Sequence, residues 1–171
     1  MELHPHGKRE TAASRRAGLR AAIGAGLLVV ILLLNLFTYG VHVVRYYGAG
    51  MEPALSGGRT LLVLNTRRVS PGDVIAFYYN NKLLVRRVIC TGGDQIELDA
   101  SGGVTVNGEA LDEPYVTEPS LGQCDLEFPY TVPSGSVFVM GDNRPASMDS
   151  RLSEIGAVPA DRIYGKVLFV K

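Results

Sequence analysis

SPGDVIAFYYNNKLLVRRVI, residues 70–89, decides the fold class. A Ser-Pro-Gly-Asp turn signal leads into two runs, 74–79 and 83–89, made almost wholly of β-branched, aromatic and aliphatic residues. Such short runs between turn residues read as strands. Working outward, residues 60–64, 95–98, 104–106, 136–140 and 163–170 are of the same kind. Ser56-Gly57-Gly58, Thr91-Gly92-Gly93-Asp94, Ser101-Gly102-Gly103 and Pro133-Ser134-Gly135 punctuate them. Asn107-Gly108 suits a tight hairpin with positive φ at both central residues. Past residue 42 no long helical period occurs, apart from a turn near Ser153–Ile155. The fold class is mainly β, an antiparallel β domain.

The first quarter of the chain reads differently. From Ala21 to Val41 the sequence AAIGAGLLVVILLLNLFTYGV has no charged residue, and Asn35 is its one strongly polar side chain. About twenty apolar residues at ~1.5 Å each cover the ~30 Å hydrocarbon core of a bilayer. A cleaved signal peptide needs a shorter lead and a small-residue cleavage site, and Phe37-Thr38-Tyr39 is poor chemistry for one. A buried core helix would carry a polar face, which this run lacks. The segment is therefore expected to be a retained transmembrane helix. Lys8, Arg9, Arg15 and Arg16 before it, with Arg20 at its border, predict a cytoplasmic N-terminus. The expected organisation is a cytoplasmic tail over residues 1–19, an anchor over 20–42 and an extracytoplasmic β domain over 43–171. The lipid bilayer is one expected partner.

The chain has 171 residues, with 17 Lys+Arg against 17 Asp+Glu. One domain with appendages fits that length, and the charge balance offers no basic excess for nucleic acid. No cofactor and no metal are expected.

Four blocks resemble the type I signal peptidase family in its order. Gly50-Met51-Glu52-Pro53-Ala54-Leu55 is similar to the family's Ser-Met-x-Pro-Thr-Leu. Gly72-Asp73-Val74-Ile75-Ala76-Phe77 is similar to its Gly-Asp-(apolar)₃-Phe strand. Arg86-Arg87-Val88-Ile89 with Gly93-Asp94 is similar to its Lys-Arg-Val-Ile…Pro-Gly-Asp. Gly141-Asp142-Asn143-Arg144-Pro145-Ala146-Ser147-Met148-Asp149-Ser150-Arg151 matches its Gly-Asp-Asn-Arg-x-x-Ser-x-Asp-Ser-Arg box at every defining position. The resemblance implies coiled antiparallel sheets with an inserted cap region, expected here over residues 92–133. Cys90 and Cys124 lie on the oxidising side of the membrane in this topology. A bridge between them and two unrelated small apolar residues are both compatible with the sequence.

The resemblance also implies a Ser/Lys dyad, and this chain departs from it at both positions. Gly50 stands where the nucleophilic Ser is expected and has no hydroxyl. Arg86 stands where the Lys general base is expected. A serine needs a neutral amine to take its proton, and a guanidinium keeps its own proton and offers no acceptor. Ala54 replaces a common Thr. Candidate substitutes are weak. Ser56 lies six residues past Gly50, beyond Pro53. Ser147 occupies the position whose hydroxyl supports the lysine in the family, and is expected here to hydrogen-bond the Arg86 guanidinium. Lys82 shares a strand face with Arg86 but sits ~13 Å away. His42 is at the membrane edge, and His4 and His6 fall in the tail.

The intact box suits a scaffold. Asp142, Arg144, Asp149 and Arg151 are expected to pair and fix a loop between strands. A kept scaffold around an emptied dyad implies a retained substrate groove, with Met51 and Pro53 beside it. Extended segments dock in such grooves through backbone hydrogen bonds and shallow pockets. A permanent cation at Arg86 favours a carboxylate or carbonyl oxygen there. The expected function is a non-catalytic, membrane-anchored signal-peptidase-like protein. Its expected partners are precursor polypeptides with signal peptides, or pilin subunits, since signal-peptidase-like proteins lacking catalytic residues assist pilus assembly in Gram-positive bacteria. The rivals are an active peptidase with a nonstandard nucleophile, cleaving after small-x-small sites, and a purely structural membrane protein.

Overall fold

The structure, a computed structural model, describes residues 12–168. The chain divides into two units, one up to Tyr39 and one from Gly40 onward. The described residues of the first form one helix, α1 (Ala12–Tyr39), about 42 Å long at 1.5 Å per residue. It is long and apolar enough to cross a membrane, with a mean hydropathy of 2.3 over Arg15–Asn35 and none of that stretch buried. Two of its polar side chains are satisfied within the helix. Asn35 donates to the Ile31 carbonyl at 2.9 Å and Thr38 to the Leu34 carbonyl at 2.7 Å, which removes the cost of unpaired polar groups in an apolar setting.

The helix stops earlier than residue 42, where the expected anchor ended. Val41 and His42 open strand β1 (Val41–Arg45) and pair with Leu64 and Val63. Gly40 is a poor helix former, and β-branched Val41, Val43 and Val44 favour the extended chain.

The second unit is built from ten further strands. These are β2 (Thr60–Leu64), β3 (Val74–Tyr79), β4 (Lys82–Thr91), β5 (Gln95–Leu98), β6 (Val104–Val106), β7 (Glu109–Ala110), β8 (Tyr130–Thr131), β9 (Ser136–Met140), β10 (Val158–Pro159) and β11 (Ile163–Leu168). One sheet has the order β1-β2-β11-β3-β4-β9-β10, the other β7-β6-β5-β8. Every pairing is antiparallel. The fold is thus mainly antiparallel β with one N-terminal apolar helix. The smaller sheet lies wholly within residues 92–133. Near Ser153–Ile155 the backbone forms turns, and a short 3-10 helix follows at Ala160–Arg162.

Two tight hairpins set strand register. Asn107 and Gly108 have φ of 51° and 82° and join β6 to β7, as their residue types predict. Asn80 and Asn81, at φ 45° and 59°, join β3 to β4 with Tyr79 opposite Lys82. Asparagine tolerates this left-handed region better than most residues.

β3 is buried along Val74–Phe77, and successive side chains feed different sides of the sheet. Val74 and Ala76 join Tyr46, Met51, Leu55 and Val63. Ile75 and Phe77 join Val139, Ile155 and Ile163. A third cluster, with Cys90, Ile96, Phe138 and Met140, lies under the smaller sheet. The two cysteines are free thiols. Cys90 is fully buried, and burial, with a smaller push from Asp94, raises its thiol to about 12. Only thiolate reacts with alkylating agents. Iodoacetamide at about pH 8 is therefore expected to leave Cys90 unmodified in the native protein and to label it after denaturation, read by peptide mass spectrometry.

Candidate functional site

β9 ends at Met140, and the chain enters the segment GDNRPASMDSR, residues 141–151. Asp149 is the hub of this segment. Its carboxylate is fully buried and accepts from the Gly141 amide at 2.9 Å and from Arg151 Nε and Nη2 at 2.8 and 2.9 Å. Arg151, also fully buried, donates onward to the carbonyls of Ser120, Leu121 and Arg144. Ser150 Oγ accepts from the Val139 amide at 3.0 Å and ties the loop back onto β9.

The box charges do not all pair with one another, as the sequence suggests. Asp149–Arg151 is the internal pair, while Asp142 and Arg144 reach outward. Asp142 takes a two-pronged contact from Arg87 on β4, at 2.8 and 2.6 Å. Burial pulls the Arg87 guanidinium down, but the contact with Asp142, helped by Tyr115 and Glu113, raises it above its ordinary value overall. The Arg87 guanidinium also lies over the Tyr115 ring, 4.1 Å from its centroid. Arg144 pairs with Glu113. The box therefore clamps β4 and the segment around residues 113–121. Planar, bidentate arginine contacts suit that task because they fix direction as well as distance.

The clamp extends to the turn at Gly50. The Asn143 amide donates to the Gly50 carbonyl at 3.1 Å. Gly141 backs onto the same carbonyl and onto Ser147 so closely that a Cβ there would fall well inside 3.0 Å of both. Gly141→Ala is expected to destabilise the protein by about 1–3 kcal/mol through overpacking. Its urea midpoint should drop with no change in slope.

The structure brings Gly50 and Arg86 together. A Cβ on Gly50 would meet Arg86 Cζ and Nη2 at 3.1 Å and Nη1 at 3.2 Å. Arg86 is 6% exposed; its Nε donates to the Met148 carbonyl at 2.9 Å and Nη1 to the Val85 carbonyl at 2.6 Å. Burial draws this guanidinium below its ordinary value, with Asp149 partly offsetting. Arginine nevertheless stays protonated in proteins. Among the described residues no carboxylate forms a salt bridge with it.

Two expectations are corrected here. Ser147, 2% exposed, does not hydrogen-bond Arg86; its Oγ has no partner. Two of the guanidinium nitrogens are already committed to backbone carbonyls. Met51 does not line a groove, because it is fully buried with Tyr46, Leu55 and Leu61. Pro53, by contrast, is exposed and borders a cavity of about 230 Å³ with Glu52, Thr117, Glu118, Asn143 and Pro145.

Among the described residues the rival nucleophiles have no lysine or histidine beside them in hydrogen-bonding geometry. Ser56 and Lys82 are exposed, and the His42 ring packs 5.1 Å from that of Tyr164. Among the described residues no lysine or histidine is hydrogen-bonded to a serine, and no three His, Cys, Asp or Glu side chains converge as metal ligands. The Tyr46 phenol, 4% exposed, borders Arg86 and has no partner in hydrogen-bonding geometry. Burial raises its pKa, against a lowering by Arg86, so it stays protonated. The centre thus holds one permanent cation and two neutral hydroxyls. All three groups are hydrogen-bond donors that suit an oxygen acceptor. Tyr46, Glu113 and Tyr115 escaped the sequence reading because each lies outside any motif.

A mainly antiparallel β protein whose Asp/Arg box clasps a Gly-Met-Glu-Pro turn, preceded by one apolar helix, is the class that this geometry defines. The family model for signal peptidase, peptidase S26, matches residues 19–171. Signal peptidase I of Mycobacterium tuberculosis is 31% identical over 92% of this chain and 74% of its own length. Signal peptidase I of Bacillus caldolyticus is 36% identical over 82% and 83%. Among solved structures, a signal peptidase I from Enterococcus faecalis V583 is 28% identical, with a TM-score of 0.49, over 59% of this chain and 97% of that one. The chain belongs to the signal peptidase family, peptidase S26.

Proposed function

We propose that this chain is a non-cleaving member of its family, anchored by α1 with its N-terminus in the cytoplasm and its β domain (residues 43–171) outside. It binds, without cutting, the signal-peptide-proximal segments of exported precursors, or pilin-type subunits, during processing or assembly at the cell surface. One observation carries this reading. Gly50 and Arg86 stand at the positions of the expected nucleophile and base, and the Arg86 guanidinium lies in the space a side chain at Gly50 would need. A hydroxyl and a neutral amine are both missing, and without them acyl transfer has neither attacking group nor proton acceptor.

The supporting scaffold is complete around that centre. Exposed Pro53 and the cavity it shares with Thr117 and Asn143 offer a shallow pocket of the kind an extended segment uses. The exposed apolar side chains of α1, such as Leu32 and Leu34 at 60% each, support the anchor.

The test is turnover and binding of a signal-peptide-bearing precursor by the full-length protein in detergent. Saturable, stoichiometric binding with no product is expected. Cleavage at the signal-peptide junction would overturn the reading, and its loss in Ser147→Ala or Ser56→Ala would identify the nucleophile. No binding to any precursor would leave only a structural role.

A further inference from the structure

Four arginines converge on the box, and they are not equivalent. Arg87 pairs with Asp142, Arg144 with Glu113 and Arg151 with Asp149. Arg86 is buried too, at 6% exposed, yet among the described residues it forms no salt bridge with a carboxylate. The two carbonyls it contacts, those of Val85 and Met148, accept hydrogen bonds but cancel no charge. The Tyr46 phenol interacts with Arg86 but meets no partner in hydrogen-bonding geometry, and Ser147 Oγ, on the Gly141 side of the Gly50 carbonyl, has none either; the two residues are 4% and 2% exposed. Native proteins rarely leave several buried polar groups unpaired in one place, because each costs desolvation with no return.

We infer that Arg86 receives a carboxylate, and that the polypeptide docked on the Gly50 turn presents one there. The inference rests on the binding reading above and names the chemical class it selects. A carbonyl oxygen could satisfy a hydroxyl but would add no charge to the distant influence of Asp149, which forms no salt bridge with Arg86. A carboxylate supplies two oxygens and the opposite charge, so it can take Arg86 together with a hydroxyl from Tyr46 or Ser147. Arg86 keeps 6% of its surface exposed, and the turn that covers it leads within three residues to exposed Pro53. Gly50 brings no side chain that would cover the guanidinium. The carboxylate has two sources, the free C-terminus of a polypeptide and an internal Asp or Glu.

The experiment uses the full-length protein in detergent and three decapeptides of one alanine-rich sequence, each carrying an uncharged boron-dipyrromethene fluorophore on a capped N-terminus. The first ends in a free carboxylate, the second in an amide, and the third is the amide with one internal Asp. Fluorescence anisotropy reads the affinities. An acid peptide is expected to bind about tenfold or more tightly than the neutral amide, as one charge-assisted contact predicts. Tighter binding by the free C-terminus or by the internal Asp names the source.

The preference should vanish in Arg86→Gln and survive in Arg86→Lys. It should also shrink as salt rises, which keeps the test open if Arg86→Gln fails to fold. Equal binding of all three peptides would overturn the carboxylate inference and leave the docking reading intact. Binding of none would remove both. An acid preference that persists unchanged in folded Arg86→Gln would also overturn it.

Discussion

Asp149→Ala is expected to cost about 3–5 kcal/mol of stability, the cost of breaking a buried ion pair by removing one partner. A whole domain is stable by only about 5–15 kcal/mol, so this single change brings the β domain close to unfolding. The reason lies in the geometry. The Asp149 carboxylate accepts from the Gly141 amide and from two nitrogens of Arg151, and both side chains are completely shielded. Without it, a guanidinium in the interior keeps its charge and loses its counter-ion. Arg151 would still reach the carbonyls of Ser120, Leu121 and Arg144, but carbonyls do not neutralise it. Urea unfolding followed by circular dichroism checks the loss. A midpoint within error of the natural protein would mean that the pair contributes nothing net.

The second large effect is a coupling between Gly50 and Arg86, read in stability and in turnover. Gly50→Ser alone places a Cβ at 3.1 Å from the guanidinium carbon, tighter than ordinary contact, so Arg86 must give way. About 1–3 kcal/mol of overpacking is expected. Arg86→Lys alone opens that space but abandons the Met148 and Val85 carbonyls, at about 1–3 kcal/mol for groups left unsatisfied. The double variant should cost less than the sum, because the lysine makes room for the serine. A coupling of about 0.5–3 kcal/mol is the range for residues in contact.

Turnover should follow the same logic more steeply. Gly50→Ser has a hydroxyl and no base, and Arg86→Lys has an amine and no nucleophile, so neither is expected to cleave a precursor. The double variant alone should give detectable product. Its rate should stay low, because a lysine becomes a base only when its whole surroundings lower its pKa. Product from the double variant and none from either single would show that the groove lacks nothing but the dyad. Strictly additive stabilities would mean that the two side chains do not share space as the structure places them.

Much of the architecture could be read from residue order. The runs at 60–64, 74–79, 95–98, 104–106 and 136–140 coincide with β2, β3, β5, β6 and β9. These segments are dense in residues whose side chains suit a pleated, half-buried surface, and Gly, Pro and Asn interrupt them sharply. The two-residue strands β7, β8 and β10 were not legible. Elements that short carry no pattern of their own and exist only because a neighbouring strand supplies the hydrogen bonds. The first two residues of β1 fell inside the expected anchor for a related reason. Val41 and Val43 are as apolar as the helix before them, and only pairing with β2 decides that they extend.

Sequence alone determined the apolar helix, the antiparallel β class, the Asn107-Gly108 hairpin and the residues that stand at 50, 86 and 147. These follow from local chemistry and from motif order, both of which are written along the chain. Tertiary structure alone decided who touches whom. It set Arg86 against Gly50, sent Asp142 to Arg87 and Arg144 to Glu113, buried Met51 and left the hydroxyls of Tyr46 and Ser147 without partners. Spacing along a chain gives each residue's chemistry, but its partner and its exposure to water are set by elements distant in sequence, and those two quantities govern the energy of a charge or a hydroxyl.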